Sequence, residues 1–340
     1  KGDGDNNNNN NHHHQFQRRI KTCIKLVYYY FFSLAYGLTG SLADLVMVNS
    51  TWTYNHIHGL WRFGEHPVEI VYPPCRVPDK VDGCNDENDA QQQQQQKQQQ
   101  QRENTIVSIG QFRPEKDHKL QIEALSVLLN TQPELSHTIH DRNNHEIPTD
   151  GNCNHTYNNN TPVKLLLIGS CRNDADRGRV DELRRLVKEL DLGDHVDFGI
   201  NPPYSELRAS MLRASIGIHT MRQEHFGIGI VEMMAAGLLT IAHDSGGPRS
   251  DIVFPERNCS SSSSSSSRSG TDGGTNSSKQ ATGFLATTAE QYAAAMHRAL
   301  TMDDPEAQAM RHRARASATR FSDAAFDQRL EQVLPLLYSN

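Results

Sequence analysis

Two glutamates eight positions apart, Glu224 and Glu232, are the side chains with the clearest chemical potential in this chain. Between them lie the turn 226–229, of sequence Phe-Gly-Ile-Gly, and the start of a predicted apolar helix. Glycine has no Cβ, so backbone N–H groups in such a turn can approach a ligand closely. The N-terminus of the following helix adds unpaired N–H groups and the positive end of its dipole.

This arrangement suits a ligand that combines negative charge with hydroxyl groups. Carboxylates accept hydrogen bonds from hydroxyls, and the N–H groups of a helix N-terminus bind phosphate. A nucleotide-sugar meets both requirements. The spacing alone also fits an alternative in which Glu224 and Glu232 are ordinary surface residues beside an apolar helix, so the flanking sequence has to separate the two readings.

The second half of the chain alternates short apolar segments with amphipathic ones, which predicts an α/β fold with a doubly wound parallel sheet. Ligands of such sheets bind at the carboxyl ends of strands, which here points to the turns after residues 218 and 241. Three helical segments are predicted at the C-terminal end. The predicted strands are 105–109, 163–168, 196–198, 216–218 and 238–242, and the predicted helices between them are 119–130, 180–190, 204–214 and 227–236.

Low-complexity tracts explain why only 36% of the residues are hydrophobic. Runs of Asn, Gln and Ser cannot bury enough apolar surface to form a core. Residues 18–78 have an α/β pattern but are too few for a complete domain, so we expect them to be the C-terminal part of one whose beginning is missing. The tracts predict a disordered Asn/His-rich tail at 1–17 and insertions at 79–103 (Gln-rich), 131–162 and 257–282.

The segment 26–43 contains no charged residue and follows Arg18, Arg19, Lys21 and Lys25. Its length is marginal for a membrane span. Its four tyrosines and its basic flank are typical of a helix that lies at a membrane surface. A buried domain helix and a true span remain open as alternatives.

Composition argues against several other functions. The net charge of −6 and the lack of a basic stripe disfavour nucleic-acid binding. The six cysteines include no C-x-x-C pair, so no zinc site is expected and a reducing compartment is the simpler interpretation.

Three motifs carry a resemblance to a known family: the pair Glu224 and Glu232, the segment 110–116, and Gly246-Gly247. They resemble the family 4 retaining glycosyltransferases, which have the GT-B architecture of two Rossmann-like domains. Within that family, seven motifs in chain order are most similar to the enzymes that extend dolichol-linked oligosaccharides: 49–53, 71–75, 111–116, 167–172, 219–221, 224–229 and 242–248. The resemblance implies that 18–78 belongs to the acceptor-side domain, that 104–320 is the nucleotide-sugar-binding domain, and that 321–340 is a C-terminal helix.

The resemblance also implies roles for individual residues. Glu224 would contact the transferred sugar, and Glu232 would bind the ribose hydroxyls of the nucleotide. Lys116 would hold the diphosphate. Family members usually carry an arginine directly after Gly110; Gln111 stands there in this chain, so Arg113 would replace that arginine. The other donor-binding candidates are His219, His225, Phe226, Gly227, Ile228, Gly246 and Gly247, where Phe226 and Gly227 would act through backbone N–H groups and either histidine could instead be structural.

The implied reaction transfers mannose from GDP-mannose in α-1,2 linkage, with retention, to a dolichol diphosphate-linked oligosaccharide, as the fourth and fifth mannoses. This reaction implies that the protein acts at the membrane surface, on the cytosolic face of the endoplasmic reticulum. An association with other early mannosyltransferases stays open. The reaction requires no cofactor and no metal. The sequence Asp174-Ala-Asp176 matches the D-x-D of metal-dependent sugar transferases, and we interpret it as surface.

Two other functions stay open at this point. One is a different family 4 enzyme that uses a UDP-sugar or another acceptor. The other is a nucleotide-binding or scaffolding remnant without activity. Because the pattern suggests that part of one domain is missing, we also expect that this chain alone could bind a donor without transferring its sugar.

Overall fold

The computed structural model describes residues 6–61, 67–77, 102–136, 161–256 and 281–338, with side chains from residue 17 onward. The chain divides into two compact units. The smaller consists of Lys1–Val71 and Glu331–Asn340, and the larger of Tyr72–Leu330. The boundary thus falls between Val71 and Tyr72, earlier than the Gln-rich segment that we expected to separate the domains.

Among the described residues, the smaller unit contains a two-stranded parallel sheet, two α-helices and a C-terminal 3-10 helix, Leu334–Tyr338. Ser50 begins the second helix as its N-cap, because its Oγ accepts a hydrogen bond of 3.0 Å from the backbone N–H of Thr53. The sequence predicts apolar strands at 45–49 and 68–72, and both lie where the structure has a strand. The elements are α1 (Asn6–Gly40), β1 (Val46–Val48), α2 (Thr51–Leu60) and β2 (Val68–Ile70).

Helix α1 corrects two expectations. It begins at Asn6, inside the segment that we predicted as a disordered tail, because the helix continues N-terminally from the aromatic segment. The aromatic residues from Tyr28 to Phe32 are all exposed, which contradicts the alternative of a buried domain helix for this chain. In the described parts of the chain, no helix is both long enough and apolar enough to cross a bilayer.

The larger unit has a six-stranded sheet in which all paired strands are parallel. Its helices are α3 (His118–Thr131), α4 (Asp174–Glu189), α5 (Tyr204–Arg213), α6 (Ile228–Ala235), α7 (Ala289–Thr301), α8 (Asp304–Ala318) and α9 (Asp323–Val333), which ends in the smaller unit. Its strands are β3 (Glu103–Ile109), β4 (Lys164–Gly169), β5 (Val196–Ile200), β6 (Ala214–His219), β7 (Leu239–His243) and β8 (Gly283–Ala286).

The strand order is β5-β4-β3-β6-β7-β8. The chain builds outward from β3 in one direction and then from β6 in the other, which is the order of a doubly wound Rossmann sheet. In such a sheet the chain leaves the two central strands in opposite directions, and a crevice forms outside their carboxyl ends. The segments after Ile109 and after His219 therefore flank the crevice, and this confirms the α/β fold expected from the sequence.

The sheet is buried on both faces, as the continuous apolar strands predict. Fully buried residues of the central strands include Ile106, Ile216, Ile218 and Ile241. The helices α3 and α7 cover one face of the sheet, and α6 and α8 contribute to the core on the other. This packing fixes the ends of the central strands, and thereby the loops that follow them.

The three insertions predicted in the larger unit fall mainly on residues 78–101, 137–160 and 257–280, which lie outside the described residues. After each gap, the description resumes within three residues of the first residue of a strand: β3, β4 or β8. Strand β8 was not predicted, because it is only four residues long and directly follows the Ser-rich segment.

Candidate active site

A cluster of three side chains lies at the crevice between β3 and β6. Lys116 Nζ donates a hydrogen bond to Glu224 Oε2 at 2.6 Å. His219 Nε2 lies 3.3 Å from the same oxygen. The Lys116 and Glu224 side chains are 23% and 16% exposed, so the pair is mostly shielded from water but still reachable by a ligand. The structure thus brings together three residues that the sequence nominated separately.

The cluster keeps Glu224 ionised. Burial raises the pKa of this carboxyl group, but the hydrogen bonds from His219 and Lys116 and the charge of Lys116 outweigh burial and hold the pKa at about 2. Burial lowers the pKa of His219, so its ring is neutral at neutral pH. A neutral imidazole can donate to Glu224 only if Nε2 carries the proton. The site therefore has one cation, one anion and one neutral donor.

Lys116 is positioned by the segment that leaves β3. A short 3-10 turn covers Pro114–Lys116, and Asp117 follows with φ 46 as the N-cap of α3. The side-chain oxygen of Asp117 accepts a hydrogen bond from the backbone N–H of Leu120. The aliphatic stem of Lys116 packs against Gly110, where a Cβ would lie 3.5 Å from Cγ of the lysine.

His219 is the last residue of β6, and Glu224 lies in the loop that follows. Tyr292 of α7 is fully buried, and its Oη donates a hydrogen bond of 3.0 Å to the carbonyl oxygen of His219. Sequence reasoning missed this contact, since residues 73 positions apart share no local pattern. This hydrogen bond connects the end of β6 to α7, which covers one face of the sheet.

The glycine turn leads into α6 as predicted. Gly227 is the N-cap with φ 117, a conformation that side chains with a Cβ rarely adopt. Helix α6 begins at Ile228, and its first N–H groups have no partners within the helix. Gly229 faces the end of β3: a Cβ added to this residue would lie 3.9 Å from the carbonyl oxygen of Ile109. The N-terminus of α6 is thus next to the crevice.

Gly246 and Gly247 support the Glu224 loop from behind. The backbone N–H of Gly247 donates to the carbonyl oxygen of Glu224 at 2.8 Å. Ser245, which the sequence analysis did not single out, accepts a hydrogen bond of 2.8 Å from the backbone N–H of Gln223. We predicted that the two glycines line the cleft; their direct contacts are with the backbone that carries Glu224.

Three donor-binding candidates differ in how far their side chains could meet a ligand. His225 and Ile228 are exposed. The Phe226 ring is buried in an aromatic cluster, 5.7 Å from the ring centroid of Tyr72 and 5.2 Å from that of Phe321. Its side chain is part of the core, so only its backbone can face a ligand.

Arg113 forms its ion pair with Glu115 and not with a residue of the Lys116–His219–Glu224 cluster. Its Nη1 lies 3.7 Å from Glu115 Oε1, and both side chains are more than a third exposed. Exposed pairs of this kind contribute little stability, so Arg113 is free to turn toward an anion. Its role remains a prediction.

Glu232 lies in the second turn of α6 and is half-buried. Burial raises the pKa of its carboxyl group, and the charge of Arg76 acts in the opposite direction. The position fits the expected one, one turn beyond the glycine turn. Its assignment to a ribose remains a prediction.

The D-x-D sequence has a structural role in part. Asp174 is exposed as expected and pairs with Arg177. Asp176 is buried, which corrects our interpretation of both residues as surface: its Oδ2 accepts a hydrogen bond of 3.0 Å from the backbone N–H of Arg172, just before Asn173, the N-cap of α4. Among the described residues, no group of three or more His, Cys, Asp or Glu side chains could hold a metal ion.

Two family models match separate parts of the chain. The model of group 1 glycosyl transferases matches residues 89–254, which include Lys116, His219, Glu224 and Glu232. The model of the ALG11 mannosyltransferase N-terminus matches residues 3–61, which include α1 and α2.

Curated relatives agree with both models. A GDP-Man:Man(3)GlcNAc(2)-PP-Dol alpha-1,2-mannosyltransferase of Xenopus laevis is 42% identical over 305 residues, which cover 89% of this chain and 51% of that protein. The protein of the same name from Homo sapiens is 41% identical over 89% of this chain and 51% of its own length. The chain belongs to the ALG11 mannosyltransferase family. It spans about half the length of these ALG11 relatives.

Solved structures support the GT-B glycosyltransferase fold of this ALG11 family chain. A glycosyltransferase from Rickettsia africae superimposes with a TM-score of 0.60 at 16% identity, covering 91% of this chain and 67% of its own. A sucrose-phosphate synthase from Thermosynechococcus elongatus gives a TM-score of 0.57 at 20% identity, covering 88% of this chain and 59% of its own. At these identities the likeness shows the fold alone.

Proposed function

We propose that the protein containing this chain transfers mannose from GDP-mannose, in α-1,2 linkage and with retention, to a dolichol diphosphate-linked oligosaccharide, as its fourth and fifth mannoses. The observation that carries the proposal is the contact of Lys116, His219 and Glu224 at the crevice of a doubly wound sheet. The names of the curated relatives supply the donor and acceptor.

The geometry suits departure of a sugar from a nucleoside diphosphate. Negative charge develops on the diphosphate as the glycosidic bond breaks, and fixed cations and helix N-termini stabilise such charge. An ammonium group has three N–H donors, so Lys116 can keep its bond to Glu224 and still bind a phosphate oxygen. The N-terminus of α6 would act on the same group. We propose that Arg113 adds a second cation after turning away from Glu115.

Glu224 would bind the transferred sugar. Because its pKa is held at about 2, it is a carboxylate at neutral pH and accepts hydrogen bonds from sugar hydroxyls. Its negative charge also stabilises the positive charge that develops on the sugar ring during the reaction. Retention would then arise from attack on the same face that the diphosphate leaves, with the leaving phosphate accepting the proton of the acceptor hydroxyl. Glu224 acts by binding and by charge, not as a nucleophile.

Calorimetric titration of the chain with GDP, GDP-mannose and UDP-glucose tests the proposal. We expect selective binding of the two guanine ligands, and we expect Glu232→Ala to weaken it by about tenfold, the cost of about one hydrogen bond to a charged group. Glu206→Ala is the matched control, since Glu206 is an exposed carboxylate in the first turn of α5. A preference for UDP-glucose would favour another family 4 enzyme instead. A folded chain that binds none of the three would argue against a donor site in this unit.

We also propose that α1 lies on the membrane surface, on the cytosolic face of the endoplasmic reticulum, where other early mannosyltransferases could associate with it. The support is the combination of exposed aromatic residues at 28–32 with the exposed basic residues Arg18, Arg19, Lys21 and Lys25 on the same helix. Aromatic side chains enter the headgroup region, and basic side chains pair with anionic lipids.

Sedimentation with vesicles of phosphatidylcholine and phosphatidylserine tests this proposal. Changing Phe31 and Phe32 to serine should lower the vesicle partition coefficient by about 10²-fold or more, since each fully buried aromatic contributes roughly 1.5–3 kcal/mol. Phe254→Ser removes a comparably exposed aromatic from the larger unit and should have little effect. Equal binding of all three proteins would exclude α1 as the membrane contact.

A further inference from the structure

Thr220 connects the two loops that carry the charged residues of the site. It directly follows β6, and its Oγ1 lies 2.8 Å from the carbonyl oxygen of Lys116 and 3.0 Å from that of Asp117. Gln121, on α3, donates a hydrogen bond from Nε2 to the same Oγ1 at 2.7 Å. We propose that Thr220 and Gln121 are positioning residues that hold Lys116 in register with Glu224.

The chemistry of these contacts gives each group a defined role. A threonine hydroxyl has one proton and two lone pairs. Its proton serves the carbonyl oxygens of Lys116 and Asp117, and a lone pair accepts from the Gln121 amide. The amide therefore orients the hydroxyl, and the hydroxyl holds the backbone. Both side chains are only 1% exposed, so water cannot replace either partner.

The backbone at this point needs such support. Asp117 has φ 46, a left-handed conformation that is strained for a non-glycine residue. Lys116 ends a 3-10 turn of only three residues. Two carbonyl groups in succession point at one hydroxyl, which fixes the direction in which the lysine side chain leaves the backbone.

The contacts also couple the two sides of the crevice. Lys116 follows β3, whereas Thr220 and Glu224 follow β6, the neighbouring strand in the sheet. The salt bridge to Glu224 connects the Lys116 side chain to the segment after β6. The hydrogen bond from Thr220 connects the Lys116 backbone to the same segment. Loss of the backbone contact should let the ammonium group drift without removing any charge.

The role in transfer rests on the proposed function, so the test has one arm without ligand. It measures the coupling between Lys116 and Glu224 in chemical unfolding, using Lys116→Met, Glu224→Gln and the double variant, in wild-type and Thr220→Val backgrounds. The cycle gives a coupling factor, which is a ratio of unfolding equilibrium constants. We expect this factor to be about threefold smaller in the Thr220→Val background than in the wild-type background. Thr240→Val is the matched control, because Thr240 is also fully buried and its Oγ1 donates to a backbone carbonyl, that of Leu238.

The second arm measures the affinity for GDP and for guanosine. Thr220→Val should weaken GDP about fivefold and leave guanosine unchanged, and it should add nothing to Lys116→Met. Thr220→Ser, which keeps the hydroxyl, should restore GDP affinity. Gln121→Met removes only the orienting amide and should give a smaller loss of the same kind, which keeps the test valid if the valine variant is unstable.

The outcomes separate the two proposals. Unchanged Lys116–Glu224 coupling in Thr220→Val, or the same change in Thr240→Val, would overturn the positioning role. Equal losses of GDP and guanosine would overturn it as well, because they indicate general damage to the fold. A wild-type chain that does not bind GDP would contradict the proposed function, while the ligand-free arm would still decide the role of Thr220.

Discussion

Replacing Lys116 with methionine is expected to lower mannose transfer by about 10²–10³-fold, because one fixed donor to a developing oxyanion contributes a factor of this size. Methionine keeps the apolar stem that packs against Gly110, so the change removes charge with little loss of packing. Glu224 would lose its shorter hydrogen bond, of 2.6 Å, and keep His219 at 3.3 Å. The rate should fall in kcat, since charge on the diphosphate is greatest in the transition state.

The measurement is transfer from GDP-mannose to a lipid-linked acceptor by the full-length protein that contains this chain. Lys119→Met is the control: Lys119 lies in the first turn of α3, is exposed and pairs with Glu123. It should retain activity within about twofold, since an exposed pair contributes less than 1 kcal/mol. A Lys116→Met enzyme with nearly wild-type kcat would remove this lysine from the proposed mechanism.

Gly246→Ala should lower the free energy of unfolding by about 3 kcal/mol and abolish GDP binding. A Cβ at Gly246 would lie 2.3 Å from the carbonyl oxygen of Glu224, which is backbone and cannot rotate away. The residue also has φ 63, and a left-handed conformation costs an L-residue roughly 1–2 kcal/mol. The remaining cost comes from displacing the Glu224 loop, which leads directly into the N-terminus of α6 that would face the diphosphate of GDP.

Denaturant unfolding and GDP titration of the same preparation check this prediction. Gly178→Ala is the control, since Gly178 lies within α4 and has no atoms within 4 Å of an added Cβ. Alanine there should stabilise the helix by about 0.5–1 kcal/mol. If Gly246→Ala unfolds like the wild type and binds GDP, the turn tolerates a side chain and the close packing inferred here is wrong.

Local sequence patterns predicted most of the architecture. Apolar runs such as 163–168 become buried strands, and the glycine turn at 226–229 leads into a helix because left-handed backbone and helix N-termini have local signatures. The positions of Lys116 and Glu224 at strand ends follow from the same patterns, although their assigned roles came from the family resemblance.

What could not be predicted depends on contacts between distant parts of the chain. Thr220 and Gln121 are 99 positions apart, and Tyr292 reaches His219 from another layer, so no periodicity identifies them. The burial of Asp176 was missed for a different reason: charge suggested a surface, but the side chain accepts a hydrogen bond from the backbone that leads into a helix, whose start was predicted six residues too late. Polar residues that serve the backbone leave weak signals in a single sequence.

The residues of the site and the points where the description resumes after each gap lie at opposite edges of the sheet. The described chain resumes just before β3, β4 and β8, and so enters the sheet where these strands start. Lys116, His219 and Glu224 lie where strands finish, and in a parallel sheet those two edges face away from each other. The described residues on the far side of each gap therefore frame the entry side of the sheet, while the crevice is built on its exit side.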